Sequence, residues 1–127
     1  MYSINKYYAL RGIQVEIERR NNMDAQLRKG LLEYCVLTAL SFQDSYGYQI
    51  IKDVSEYIDI SESTLYPILR RLESDDKVTS YNTEFNNRIR KYYSITSVGR
   101  EALAGFQNDK EKLIKVLEFI GGGNIYG

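Results

Sequence analysis

Ser63-Thr64-Leu65-Tyr66-Pro67-Ile68-Leu69-Arg70-Arg71-Leu72-Glu73 decides how this chain is read. Leu65, Ile68, Leu69 and Leu72 recur at three- and four-residue spacing, the buried stripe of an amphipathic helix. Asp59 and Ser61 precede it and can cap it, so a helix is predicted over Glu62–Asp75. Pro67 falls early enough for a lost backbone donor to cost little. The outward face carries Ser63, Tyr66, Pro67, Arg70 and Ser74: hydroxyls, a phenol and a guanidinium on a helix with only one face to bury.

Upstream, Gln26–Phe42 reads as a helix with two apolar faces. Leu32, Val36 and Leu40 form one; Leu27, Leu31, Cys35 and Ala39 form the other. One small domain rarely covers both faces of a helix, so the second points to a partner surface. Asp44-Ser45-Tyr46-Gly47 is a turn and a cap for a second helix, Gly47–Tyr57, with Ile50, Ile51, Val54 and Tyr57 as its stripe. Downstream, Val78–Phe85 and Arg88–Ile95 have strand composition and are joined by Asn86-Asn87, a pair that tolerates positive φ. Arg88, Arg90 and Lys91 place three cations just past that turn. Thr96 or Ser97 caps a last helix over Val98–Ile120, stopped by Gly121-Gly122-Gly123. Its stripe is Ala102, Phe106, Leu113, Leu117 and Ile120, interrupted by the polar stretch Gln107–Lys112.

Helix, helix, helix, hairpin, helix is the order of a winged helix-turn-helix, a mainly α fold with a small β-hairpin, here followed by a C-terminal helix. Its physical logic favours duplex DNA. An α-helix fits the major groove, where base edges differ in donor and acceptor pattern. Ser63, Thr64, Tyr66 and Pro67 with Arg70 and Arg71 are the candidate groove and phosphate contacts; Arg88, Arg90 and Lys91 are the candidate contacts to the flanking backbone. Leu31 and Cys35, on the spare face of the first helix, are candidate contacts to a partner.

Composition narrows the alternatives. The chain has 127 residues with 43% hydrophobic and 27% charged, enough for one compact domain with its own core. There is no histidine, which removes the usual general base and the commonest zinc ligand. A single cysteine, Cys35, makes neither an intrachain disulfide nor a metal pair, and its apolar stripe marks it as a core thiol. No cofactor, metal or catalytic constellation is expected, and the chain reads as a non-enzyme. No apolar run is long enough for a membrane span, and none resembles a signal peptide, so a cytoplasmic protein is expected. Seventeen cations balance seventeen anions. From Ser61 to Arg100 seven cations face five anions, so DNA affinity should depend on dimer binding and salt.

Residues 1–22 lack the helical period that begins after Met23. Glu18-Arg19-Arg20-Asn21-Asn22-Met23 can be encoded by GAA AGG AGG AAT AAT ATG, a purine-rich ribosome-binding sequence before a start codon. Met23 is therefore a candidate start, with an ordinary N-terminal helix as the other reading. The domain plan is 1–22 extension, 23–96 DNA-binding domain, 97–120 C-terminal helix and 121–127 glycine-rich tail.

From Gln26 to Leu103 the sequence resembles the PadR family of bacterial transcriptional regulators. The resemblance is carried by Leu31-Leu32-Glu33, Val36-Leu37, Tyr46-Gly47-Tyr48, the run Ser63–Glu73, Arg90-Lys91-Tyr92-Tyr93-Ser94-Ile95-Thr96 and Gly99. It implies a homodimeric repressor on a roughly palindromic operator, released in some relatives by a small aromatic or hydrophobic effector. It also implies membership of the small subgroup, in which the last helix packs on the partner's first helix. That makes 97–120 a C-terminal dimerisation helix and Leu31, Cys35, Phe106, Leu113, Leu117 and Ile120 the candidate dimerisation residues. Two departures stand out: Asp76 replaces the family's common glycine after the recognition helix, and the tryptophans that hold flat ligands in some relatives are absent. Phe106 and Phe119 are the remaining aromatic candidates for a pocket, with core packing their commoner use. The competing function is a winged-helix adaptor that binds protein and does not read DNA.

Overall fold

The computed structural model describes residues 23–122. The chain falls into two units, 1–31 and 32–127. In the first, Asp24 starts helix α1 (Ala25–Phe42): its carboxylate accepts from the backbone N–H of Gln26 at 3.0 Å and of Leu27 at 3.3 Å. The expected extension over residues 1–22 lies outside the described residues, as does most of the glycine-rich tail.

The second unit continues α1 and adds β1 (Ser45–Tyr46), α2 (Gly47–Ser55), α3 (Glu62–Ser74), β2 (Val78–Phe85), β3 (Arg88–Ile95), α4 (Ser97–Asn108) and α5 (Lys110–Ile120). Its core joins Leu32, Val36, Leu37 and Leu40 of α1 to Ile50 and Val54 of α2 and to Leu65, Ile68, Leu69 and Leu72 of α3. Val78, Tyr93 and Ile95 of the sheet and Leu103 of α4 close it. Each such side chain removed from water contributes about 1.5–3 kcal/mol. The three strands form one antiparallel sheet in the order β1-β3-β2, so the fold is the expected winged helix-turn-helix.

Helix α3 stops where its backbone turns left-handed. Asp76 has φ 59°, and the N–H groups of Asp76 and Lys77 reach back to the carbonyls of Glu73 and Leu72 at 3.1 and 2.8 Å. That double bond pattern satisfies the end of the helix, and the short polar side chain of aspartate tolerates the φ that glycine takes more cheaply. The hairpin turns on Asn86 (φ 50°) and Asn87 (φ 62°), with Phe85 and Arg88 as the closing pair. Thr96 then locks the wing to the last helical segment: its Oγ1 accepts from Gly99 N at 3.1 Å and donates to the Asp76 carbonyl at 2.6 Å.

Three expectations change. Asp44–Gly47 is not a capping turn: Ser45 and Tyr46 form a strand paired with Tyr93 and Tyr92, and α2 starts with no side-chain cap. The single C-terminal helix is two, because Asn108 and Asp109, both poor helix formers, let the chain tighten at Asp109 (φ −91°, ψ 6°) before α5 restarts. Cys35 is half-buried rather than enclosed, and burial still pushes its thiol pKa up. No helix among the described residues is long and apolar enough to cross a membrane.

Candidate nucleic-acid interface

Helix α3 presents Ser63, Tyr66, Pro67 and Arg70 on its exposed side, while the helical rotation buries Leu65, Ile68, Leu69 and Leu72. Pro67 sits inside the helix without breaking it; its missing N–H costs only the bond to the carbonyl of Ser63, on the solvent side. At the N-terminus the hydroxyls cluster: Ser61 Oγ lies 3.0 Å from Ser63 Oγ and 3.2 Å from Thr64 Oγ1, with Thr64 partly buried. Ser61 caps the helix through its carbonyl alone.

Tyr66 is 39% exposed and packs its ring against the start of α2. A Cβ on Gly47 would lie 2.4 Å from the Tyr66 hydroxyl and 3.0 Å from its Cζ, so the phenol occupies space that only glycine leaves. Tyr93, buried at the base of the wing, lies in the field of α3. Burial raises its phenol pKa; Glu73 and Tyr66 raise it further and Arg70 lowers it. Helix and wing thus meet around Tyr93, and a cleft of about 830 Å³ opens between them, lined by Tyr66, Tyr48, Arg88 and Lys91 among others.

The predicted cations divide. Arg70 and Arg88 are exposed, and Lys91 is exposed with its ammonium 5.5 Å from the centre of the Tyr93 ring. Arg71 points elsewhere: it is partly buried and its Nε donates to Glu33 on α1, an ion pair between helices. Arg90 is partly buried, with its guanidinium 4.1 Å from the Tyr46 ring centre and 5.2 Å from that of Phe85. Glu33, Tyr46, Gly47 and Phe85 were not among the predicted site residues. Strand alternation carried a signal for Phe85 alone, since it shares a face of the hairpin with Arg88 and Arg90.

Of the predicted dimerisation residues, Phe106 stacks on Tyr34 with ring centres 4.1 Å apart, and Leu31, Cys35 and Leu113 are half-buried. Leu117 and Ile120 are 52% and 73% exposed, and α5 has no buried residue. Phe119, expected in a core or a pocket, is 64% exposed. Beside Cys35, a second groove of about 480 Å³ runs between α1 and α2, lined by Ala39, Phe42, Val54 and Tyr57 with Asp53 and Glu56.

Comparison with known proteins gives a consistent likeness. The transcriptional regulator PadR-like family matches residues 36–105. A PadR-like transcription factor of Bacteroides fragilis, solved by X-ray crystallography, is 34% identical, with 76% of this chain and 95% of that chain covered and a TM-score of 0.66. A PadR family transcriptional regulator from Eggerthella lenta is 29% identical, covering 92% of this chain and 99% of that one at a TM-score of 0.70. Bacillus subtilis PadR, solved in complex with operator DNA, shares the fold at 23% identity and a TM-score of 0.57, over 61% of this chain and 46% of its own.

Proposed function

Since the chain belongs to the PadR-like family of transcriptional regulators, whose members bind DNA, we propose that it acts as a homodimeric repressor reading a roughly palindromic operator. The observation that carries this reading is the exposed side of α3, with Ser63, Tyr66, Pro67 and Arg70, flanked across one cleft by the cations of the wing. In this reading Ser63, Thr64, Tyr66 and Pro67 approach base edges and sugar in the major groove, and Arg70 reaches base or phosphate. Arg88 and Lys91 neutralise the flanking backbone.

Two copies of α3 must lie about one helical turn of DNA apart to read a palindrome. The surface for that pairing is α5, whose Val116, Leu117, Phe119 and Ile120 are all exposed, together with the half-buried face of α1 at Cys35 and Ala39. Release by an effector is supported by the groove beside Cys35. At about 480 Å³ it has the size of a small-molecule site, and its apolar wall and acidic rim suit an aromatic or hydrophobic compound. The protein acts on chromosomal DNA in the cytoplasm.

The test is fluorescence anisotropy with the duplex upstream of the protein's own gene, a random duplex and a salt titration. Preference for the native duplex, lost in Arg70→Ala, supports a sequence-reading regulator. Equal, weak, salt-erased binding to both duplexes favours the adaptor reading. A monomer at micromolar concentration in analytical ultracentrifugation removes the geometry that the palindrome requires.

A further inference from the structure

The wing outruns the sheet that carries it. β1 supplies only Ser45 and Tyr46, which pair with Tyr93 and Tyr92, so from Asn82 to Lys91 the hairpin is a two-stranded ribbon. Such a ribbon is marginal in water by itself. Strand alternation sets Tyr81, Thr83 and Phe85 of β2 on one face with Arg88, Arg90 and Tyr92 of β3, next to Tyr46 of β1.

On that face the side chains form a continuous chain from the body to the tip. The Tyr81 hydroxyl donates to Asp44 at 2.6 Å, and its ring lies 5.8 Å from Tyr92 at 17°. Tyr92 is 5.4 Å from Tyr46, and Arg90 lies 4.1 Å from the Tyr46 ring and 5.2 Å from Phe85, the last residue before the turn. Among the described residues, Arg90 is the side chain whose ring contacts carry that chain past the three-stranded part of the sheet. A planar, weakly hydrated guanidinium can hold two rings; a lysine ammonium cannot do so equally well.

We infer that Arg90 is the positioning residue of the wing, fixing the ribbon's angle by seating its guanidinium on Tyr46 and against Phe85, while Arg88 and Lys91 carry the charge presented to phosphate. The geometry stands without any ligand; its consequence for DNA rests on the function proposed above.

The experiment is backbone ¹⁵N relaxation of the full chain without DNA, followed by DNA binding across a salt series. In the parent protein the amides of Asn86, Asn87 and Ile89 are expected near the rigid limit, with order parameters of about 0.85, and below about 0.6 in Arg90→Lys. Arg88→Lys leaves the tip rigid. Tyr46→Leu loosens it as much as Arg90→Lys, and the double variant adds nothing. If Tyr46→Leu fails to fold, Phe85→Leu on the exposed ribbon replaces it.

With DNA, Arg90→Lys keeps the charge, so about a fivefold to tenfold loss of affinity is the mark of positioning. Arg88→Gln lowers the salt slope by about 0.9 for each phosphate that Arg88 had neutralised. A tip that stays rigid in Arg90→Lys overturns the inference, whatever DNA does. A tip that loosens while DNA binding is unchanged upholds the clamp and counts against the wing's place in DNA reading.

Discussion

Gly47→Ala separates the stability of this fold from the aim of its recognition helix. Gly47 stands at the first position of α2, and its backbone is not left-handed, so alanine is conformationally welcome there and gains about 0.4–1 kcal/mol through the unfolded chain. Against that, the new Cβ lies 2.4 Å from the Tyr66 hydroxyl, 3.0 Å from Cζ and 3.4 Å from Cε1. Tyr66 is part-exposed, so its ring can swing outward instead of straining the core. The unfolding free energy read from urea titration should then change by less than about 1 kcal/mol, below the usual 1–3 kcal/mol for overpacking. Operator binding should weaken about tenfold, which is about 1.4 kcal/mol, because a displaced phenol no longer meets the groove. The decisive measurement is a double-mutant cycle with Tyr66→Ala, which removes all three close contacts. In that background Gly47→Ala should stabilise the protein and leave DNA affinity untouched. If it weakens binding equally in both backgrounds, Gly47 does not act through Tyr66.

The remaining predictions concern the joints around this surface. Gly99→Ala would set a Cβ 2.2 Å from the Lys77 carbonyl and 2.8 Å from Ile95 Cγ1, contacts with backbone and core, so thermal unfolding should show a loss of about 3 kcal/mol. Asp76→Gly relieves a left-handed residue at φ 59° and should raise the unfolding free energy in urea by about 0.5–1 kcal/mol with wing and helix unchanged. The Tyr81 phenol is raised by its hydrogen bond to Asp44, then by burial and by the carboxylate's charge, so its contribution is complete below the ordinary phenol value of 10.0 and disappears as pH rises through its folded value. Tyr81→Phe should remove one late-titrating phenol from the alkaline absorbance titration and flatten the decline of stability above pH 10.

What was legible in the sequence is what the chain decides locally. The stripe of α3 and the Asn86-Asn87 turn set the helix and both strands of the wing, because periods of 3.6 and 2.0 and a positive-φ pair are short-range signals. Asp76 was legible only through the resemblance, as an aspartate where the family commonly has glycine, and the structure gives it the left-handed φ of 59°. β1 was not, since two residues have no period and become a strand only when β3 arrives beside them. The break at Asp109 left a trace in the polar stretch Gln107–Lys112, but the apolar stripe ran on across it. The fates of Arg71 and Arg90 were hidden most completely. Arg71 is tied to Glu33, 38 residues away, and Arg90 to Tyr46 through a strand pairing that the sequence did not announce.

That division of the cations makes the neutral net charge intelligible and gives it a number to meet. If every arginine and lysine predicted for this surface touched phosphate, each protomer would bring Arg70, Arg71, Arg88, Arg90 and Lys91. A dimer would then release counterions with a slope of log affinity against log salt of about −9. In the structure Arg71 is held by Glu33 and Arg90 by two aromatic rings, which leaves Arg70, Arg88 and Lys91. Three per protomer correspond to a slope of about −5 for the dimer. Anisotropy titrations between about 50 and 200 mM salt resolve that difference easily, because it amounts to orders of magnitude in affinity across the range. Glu33→Gln should then steepen the slope by freeing Arg71, while Arg90→Lys should lower affinity without making it shallower. A parent slope of about −9 would mean that Arg71 and Arg90 leave their partners on binding, and that the wing clamp describes the free protein alone.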